Sequence, residues 1–331
     1  MGATVTGDLI ATLEERGLVA QCTDEAMRQR LAEPVTAYIG FDPTADSLHV
    51  GSLVPVMALA WLQRCGHTPI ALVGGATGLV GDPSGKTSQR QMLSPAEVTH
   101  NARCLGEQIG RVVRFGDGPG EARLRNNADW LADKNWIELL REVGPHFSVN
   151  RMLTMDSVKG RMESGGITFL EFNYMVMQAY DFLHLYRSDG CTVQLGGQDQ
   201  WGNIVMGIEL GRRIDEVGLA GLTMPLVTKA DGSKFGKSEQ GNVWLSAERT
   251  PVFEFYQFWR NVARAPGRGP ESRRRRPPIP RLFPLPTHGR DRRSDRRRRR
   301  RLERGQTGAG ARGHHADPRR RSGGRGRGRR Q

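Results

Sequence analysis

Two lysines three residues apart, in Lys234-Phe235-Gly236-Lys237-Ser238, sit in a polar, glycine-containing stretch from Thr228 to Gly241. Lysines so spaced can stabilise the charge that develops on a leaving phosphoryl group, because a fixed cation is worth most where negative charge appears in the transition state. A solvated basic loop would have the same composition, so the chemistry needs support from elsewhere in the chain. His49-Val50-Gly51-Ser52 follows a polar loop with Pro43 and precedes the apolar pattern Leu53, Val54, Val56, Met57, Leu59, Ala60. A helix entrance presents unpaired N–H groups and the positive end of the macrodipole, and Gly51 permits close approach of an anion such as a phosphate.

Three further stretches carry candidate chemistry. The run from Gly74 to Thr87 is rich in glycine and ends in Gly85-Lys86-Thr87, with Arg90 nearby, but a phosphate-binding P-loop requires glycine at position 80, where this chain has Val80. Close backbone approach to a ligand, with Lys86 and Arg90 supplying charge, is still available there. Tyr174, Gln178 and Asp181 fall at i, i+4 and i+7 of a helical pattern otherwise rich in Phe, Met, Leu and Tyr, so they share one face. Taken alone, that stripe is equally a satisfied polar network or a solvated face. Gln194-Leu-Gly-Gly-Gln-Asp-Gln-Trp-Gly-Asn203 places dense polar groups directly after an apolar run, at the carboxyl end of a strand, where open parallel sheets bind ligands.

These residues must be held by a strand–helix alternation. Val35–Ile39 and Pro69–Val73 read as short buried strands separated by a helix to Cys65, a βαβ unit with a parallel sheet and right-handed crossover. Residues 4–34 predict one or two opening helices. Helices are predicted at 95–111, 121–132, 136–143, 147–162, 169–186, 199–213 and 252–262, with strands at 192–195 and 222–227 and a short one at 112–115. The expected class is α/β, a doubly wound parallel sheet.

Composition divides the chain in two. Residues 263–331 contain 25 Arg, no Lys and five acidic residues, whereas residues 1–262 carry 24 basic and 30 acidic residues, a net of −6 against +14 for the whole. The pI therefore describes no single folded object. The last 69 residues have no Val, Met, Trp, Tyr, Asn, Lys or Cys; such a segment cannot bury enough apolar surface to offset its ordering entropy and is expected to be a disordered Arg/Gly/Pro-rich tail. Its bias toward amino acids of GC-rich codons suggests out-of-frame translation, a genuine Arg-rich nucleic-acid-binding tail being the alternative. Cys22, Cys65, Cys104 and Cys191 show no metal-ligand spacing. No signal peptide or membrane span is read, so a cytoplasmic protein is expected.

Together the motifs resemble those of a class I aminoacyl-tRNA synthetase, specifically the bacterial tyrosyl-tRNA synthetase family. His49-Val-Gly-Ser52 resembles its HIGH signature and Lys234-Phe-Gly-Lys-Ser238 its KMSKS signature; Tyr38–His49, Ala71–Gly85, Phe169–Asp181 and Gly196–Asn203 resemble the family nearly residue for residue. The likeness covers about residues 5–262. It implies that Tyr38 and Asp181 bind the substrate phenol hydroxyl, that Tyr174 and Gln178 hold its α-amino group with Asp82 in the same tyrosine subsite, and that Gly40, Asp42, Gly51, Ser52, Gly196, Asp199, Gln200 and Lys237 line the ATP and adenylate site. It assigns Thr44 and His49 to the γ-phosphate side of ATP, and Lys86, Arg90, Lys234 and Lys237 to the leaving pyrophosphate. The implied reaction activates L-tyrosine with ATP, accompanied by Mg2+ as substrate, and transfers it to tRNA(Tyr) in a homodimer, with no protein metal site.

Rejection of phenylalanine would follow from polar groups left unpaired, a principle for which tyrosyl-tRNA synthetase is itself a standard example. Two residues depart from the family pattern. Ser52 stands where the signature has its second His, and Gln198 replaces the usual serine. The family's anticodon-recognition and RNA-binding modules are not recognisable after residue 262, so tRNA binding and the second step are expected to be impaired. A tryptophanyl-tRNA synthetase-like enzyme and a non-catalytic RNA-binding protein on a synthetase fold are the alternatives.

Overall fold

The βαβ unit forms as expected: strand β2 (Thr36–Phe41) leads through the Pro43 loop into helix α3 (Leu53–Arg64) and returns as β3 (Thr68–Val73), parallel to β2 in register Tyr38 to Ile70. The computed structural model describes residues 6–84, 92–226, 235–238 and 241–264, with 237, 238 and 262–264 described by backbone alone. Before this unit come α1 (Leu9–Glu15), a two-residue strand β1 (Gln21–Cys22) and α2 (Met27–Arg30); after it come α4 (Thr77–Val80), α5 (Pro95–Ile109), β4 (Arg123–Asn126), α6 (Ala128–Leu131) and α7 (Trp136–Val143). The chain continues through α8 (Val149–Leu153), α9 (Asp156–Ser164), the long α10 (Phe169–Asp189), β5 (Cys191–Gly197), α11 (Trp201–Ile214), β6 (Ala220–Met224), the short pair β7 (Lys237–Ser238) and β8 (Gly241–Asn242), and α12 (Val252–Arg264).

The main sheet runs β1-β6-β5-β2-β3-β4, parallel throughout except for antiparallel β1 at one edge. The chain builds outward from β2 through β3 to β4, then crosses back to lay β5 and β6 on the other side of β2. The reversal lies between β2 and β5, and the carboxyl ends of these strands open the crevice in which doubly wound sheets bind ligands.

Helix α10 covers this crevice. A capping box starts it: Thr168 Oγ1 accepts the Glu171 N–H while Glu171 accepts from the Thr168 N–H. Its buried face enters two apolar clusters, one with α7, α8, α9 and α11 around Met175, Ala179 and Leu183, the other under the sheet with Tyr38, Ile70, Leu72 and Phe182. The Tyr38 and Phe182 rings meet edge to face at 5.3 Å.

Residues 121–132 do not form the expected helix. Arg123–Asn126 add a parallel edge strand to β3, and only Ala128–Leu131 are helical. The edge is polar because Arg123 and Arg125 both donate to Asp189, at 2.9 and 2.7 Å, tying β4 to the end of α10. The expected strand at 112–115 reduces to one bridge, Phe115 to Ala122. The single helix expected at 147–162 is two, broken at Thr154 and Met155. Strand β1 interrupts the opening helices expected over 4–34, pairing antiparallel with β6. The tail reading, from 265 onward, lies outside the described residues, as does most of the 228–241 stretch.

Candidate functional site

A pocket of about 220 Å³ opens at the strand-order reversal, lined by β2, β5, α10 and the turns that follow β2, β3 and β5. Its deep end is made by Tyr38 and Asp181, 1 % and 2 % exposed. The Tyr38 hydroxyl has no hydrogen-bond partner among the described residues, a condition that costs a buried polar group about 1–3 kcal/mol and calls for a functional explanation. Burial, reinforced by the nearby Asp181 charge, pushes the Tyr38 phenol well above its ordinary value, so it remains a neutral donor and acceptor.

Asp181 is fixed from both sides. Asn127 Nδ2 donates to Oδ2 at 2.9 Å and Trp130 Nε1 to Oδ1 at 2.8 Å. Burial raises its carboxyl, against these two hydrogen bonds and with the Asp42 charge adding to the rise, to about 7. The carboxylate therefore retains proton-accepting capacity at neutral pH and points into a pocket that also holds an unpaired hydroxyl. A ligand with a hydroxyl that both donates and accepts satisfies both groups.

Nearer the mouth, the stripe predicted on α10 is in place. Tyr174 Oη donates to Asp42 Oδ2 at 2.9 Å, and Thr77 Oγ1 donates to Asp42 Oδ1 at 3.0 Å. A Cβ on Gly74 would collide with the Asp42 carboxylate and the Thr77 hydroxyl, so this pairing demands glycine there. Gln178 Oε1 accepts from Asn203 Nδ2 at 3.1 Å, the same amide reaching Gln200 Oε1 at 3.0 Å, while Gln200 Nε2 donates to Asp82 Oδ2 at 2.7 Å. Asp82 Oδ1 takes the Ser84 N–H. Among the described lining residues the charged groups are Asp42, Asp82, Asp181 and Asp199, with no Lys or Arg; the field suits an ammonium group beside the hydroxyl-binding end.

Gly40, Gly196, Asp199 and Gln200 also line this pocket. Thr44, His49, Gly51 and Ser52 do not: they lie on the connection between β2 and α3. That loop is strapped in place, Asn101 donating to Pro43 O, Leu48 donating to Gln108, and Val50 and Leu245 N–H groups exchanging with Val243 O and Leu48 O. His49 caps its own turn, Nδ1 accepting the Gly51 N–H at 3.0 Å. Glycine is needed at 51 because a Cβ would come within 2.8 Å of the imidazole, which corrects the expectation that this N–H is free for an anion. Phe235 packs with Val50 and Val243 under Phe255, Phe258 and Trp259 of α12, bringing Phe235 and Val243 against the His49 turn. Lys86, Arg90 and Lys234 lie outside the described residues, and Lys237 is described by its backbone alone.

Thr77, Gln194 and Asn203, from stretches noted for their ligand-binding character, and Asn127 and Trp130, from a segment that carried no candidate, complete the site. Gln194 pairs in register with Tyr38 across the parallel ladder, lines the pocket, and has an unpartnered Oε1 among the described residues.

The family described as "tRNA synthetases class I (W and Y)" matches residues 29–270. The chain is similar to a tyrosine–tRNA ligase of Anaeromyxobacter dehalogenans, 56 % identical over 77 % of this chain and 60 % of that one, and to one of Rhizobium meliloti, 53 % identical over 77 % and 62 %. It thus spans about 60 % of the length of these curated relatives. Among solved structures it is similar to a C-terminally truncated mitochondrial tyrosyl-tRNA synthetase of Aspergillus nidulans, 33 % identical with a TM-score of 0.66, over 78 % of this chain and 76 % of that chain. The fold is shared with an Archaeoglobus fulgidus tyrosyl-tRNA synthetase complexed with L-tyrosine, at 19 % identity and TM-score 0.59, over 80 % of this chain and 78 % of that chain.

Proposed function

The chain belongs to the class I tRNA synthetases of the tryptophan and tyrosine group, and from that premise we propose that it activates L-tyrosine with ATP. The observation that carries the choice of tyrosine is the deep end of the pocket, lined by both the unpaired Tyr38 hydroxyl and the doubly held Asp181 carboxylate. A phenol donates to Asp181 and accepts from Tyr38, while an indole N–H can only donate. The substrate ammonium lies among Tyr174, Gln178 and Asp82. Gly40, Asp42, Gly196, Asp199 and Gln200 then surround the carboxylate and adenylate end.

In this reading the tyrosine carboxylate oxygen attacks the α-phosphorus of ATP. The P–O bond to the β-phosphate breaks, and pyrophosphate leaves with its charge. The nucleophile is already ionised, so no general base is required and catalysis consists of positioning and charge stabilisation. Mg2+ enters with ATP as its phosphate-bridging ion. Thr44 and His49 serve the γ-phosphate side, with Gly51 and Ser52 at the same turn. Lys86, Arg90, Lys234 and Lys237, assigned from sequence, hold the pyrophosphate.

Tyrosine-dependent ATP–pyrophosphate exchange is the expected result. Exchange driven by tryptophan instead, or none with either amino acid, would overturn the reading. Tyrosylation of tRNA(Tyr) measured on the same preparation tests the second step, and charging at the rate of exchange would refute the expectation that transfer is impaired.

The proposal includes a homodimer. Trp136, Ile137 and Leu140 of α7 are exposed, as are Phe169 and Leu170 at the start of α10, and the Trp136 and Phe169 rings lie 6.4 Å apart, so the patch is continuous. Sedimentation should show a dimer that Ile137→Glu converts to monomer. A wild-type monomer at micromolar concentration would remove this part of the reading. Among the described residues no helix is long and apolar enough to cross a membrane.

A further inference from the structure

We propose that His184 is a positioning residue for recognition of the substrate side chain, acting through Trp130; the inference rests on the reading of Asp181 as the phenol acceptor. The Trp130 indole is shared by two residues one turn apart on α10. Its N–H is bonded to Asp181 at 2.8 Å, and its face is stacked on the His184 imidazole with centroids 4.3 Å apart and planes within 15°. Positions i and i+3 of a helix lie on one side, so a single flat ring can touch both only in one orientation.

Trp130 needs such a clamp. It belongs to α6, a four-residue helix whose only side-chain cap among the described residues is Asn126 Oδ1 accepting the Ala128 N–H at 3.0 Å, and so short a helix has little stability of its own. The indole is half-buried, packing against the apolar clusters beside α10, so the imidazole supplies the contact that sets its tilt. His184 is itself held. Tyr180 lies 6.5 Å away on the preceding turn, its hydroxyl accepting from Lys134 Nζ at 2.9 Å, and Lys134 also pairs with Glu142 of α7. Burial holds the imidazole below its ordinary value; Asp189 opposes this, and Arg187 and Lys134 add to it. The ring is therefore neutral at pH 7 and the contact is an aromatic stack, for which geometry matters more than charge.

The test compares His184→Ala with His184→Phe, which keeps a flat ring and removes both nitrogens. In the exchange assay, His184→Ala should raise KM for tyrosine by about 3–10-fold, the range of one lost aromatic pair. It should reduce the preference for tyrosine over phenylalanine and leave KM for ATP unchanged. His184→Phe should return KM for tyrosine to within about twofold of wild type, on the same ground that the stack depends on shape. Acrylamide quenching attributable to Trp130, obtained by difference from Trp130→Phe, should increase in the alanine variant and not in the phenylalanine variant. An unchanged tyrosine KM in His184→Ala, equal loss in both variants, or a parallel rise in KM for ATP overturns the proposal. Should the wild-type chain show no tyrosine-dependent exchange, the functional reading fails, and with it this role; the quenching comparison then separately decides whether His184 holds Trp130.

Discussion

Asp181→Asn is expected to lower kcat/KM for tyrosine by about 10²-fold, the scale of losing a hydrogen bond to a charged group with a further penalty for a mismatched partner. The substitution is isosteric yet cannot be neutral. Both carboxylate oxygens already accept, one from Asn127 and one from Trp130, and an amide offers one oxygen and one NH2, which must face one of those donors. The phenol hydroxyl would then meet a rotated or displaced group. Tyr38→Phe removes one neutral hydrogen bond and should cost only about 2–10-fold in the same parameter, while narrowing the preference over phenylalanine.

The pH profile separates this role from simple damage. With the Asp181 carboxyl raised to about 7 by burial, kcat/KM for tyrosine should fall as pH drops below neutrality, since that parameter reports the free enzyme and the protonated acid loses its acceptor advantage. Asp181→Asn should abolish this limb. If the limb persists in the variant, another group titrates there. The same raised value has a stability consequence of opposite sign to that of a paired carboxylate: between about pH 4 and 7 the folded chain keeps a proton that the unfolded chain has released, so this group's stabilisation is lost as pH rises through that window.

The local parts of this site could be read from sequence because they are local. Tyr174, Gln178 and Asp181 announce themselves by helical spacing, and the β2–α3 turn by an apolar run, a proline and a glycine. What holds them is long-range: Tyr174 meets Asp42 from 132 residues away, and Gln200 meets Asp82 from 118. No periodicity encodes those pairs. The misread segment 121–132 shows the physical limit most clearly. Arg123-Leu124-Arg125-Asn126 is a polar edge strand of only four residues whose two arginines answer Asp189 at the far end of α10 while Leu124 is exposed, so its short alternation carries no apolar inward face to mark it as a strand, and its neighbours look helical. Reading it as helix concealed the turn that delivers Asn127 and Trp130 to Asp181. His49 is the converse case: its type and position were legible, but that it caps its own turn follows only from the backbone.

Glu171→Ala should destabilise the chain by about 3 kcal/mol, the lower end of the range for removing one partner of a buried ion pair. Arg161 of α9 and Glu171 of α10 are each 6 % exposed in their side chains, with Arg161 Nη2 donating to both carboxylate oxygens at 2.9 and 3.2 Å. The lower end applies because the neighbouring Thr168 and Phe169 are exposed and water can reach the first turn. Glu171 also closes the capping box, and although burial raises its carboxyl, the bonds from Thr168 and Arg161 outweigh that and leave it below its ordinary value. Its stabilisation is therefore present above the ordinary carboxylate range and lost as pH falls through its lowered value. Glu171→Gln preserves the box but removes the charge, and Arg161→Met removes the cation; the double variant should be more stable than either single one, since a buried pair replaced together leaves no uncompensated charge. Denaturant midpoints at constant slope measure all four. The consequence reaches the pocket, because Tyr174 lies one turn after Glu171 and bonds Asp42 from there: loosening that turn should raise KM for tyrosine in Glu171→Ala even at temperatures where the chain remains folded, and an unchanged KM would show that the middle of α10 is anchored independently of its start.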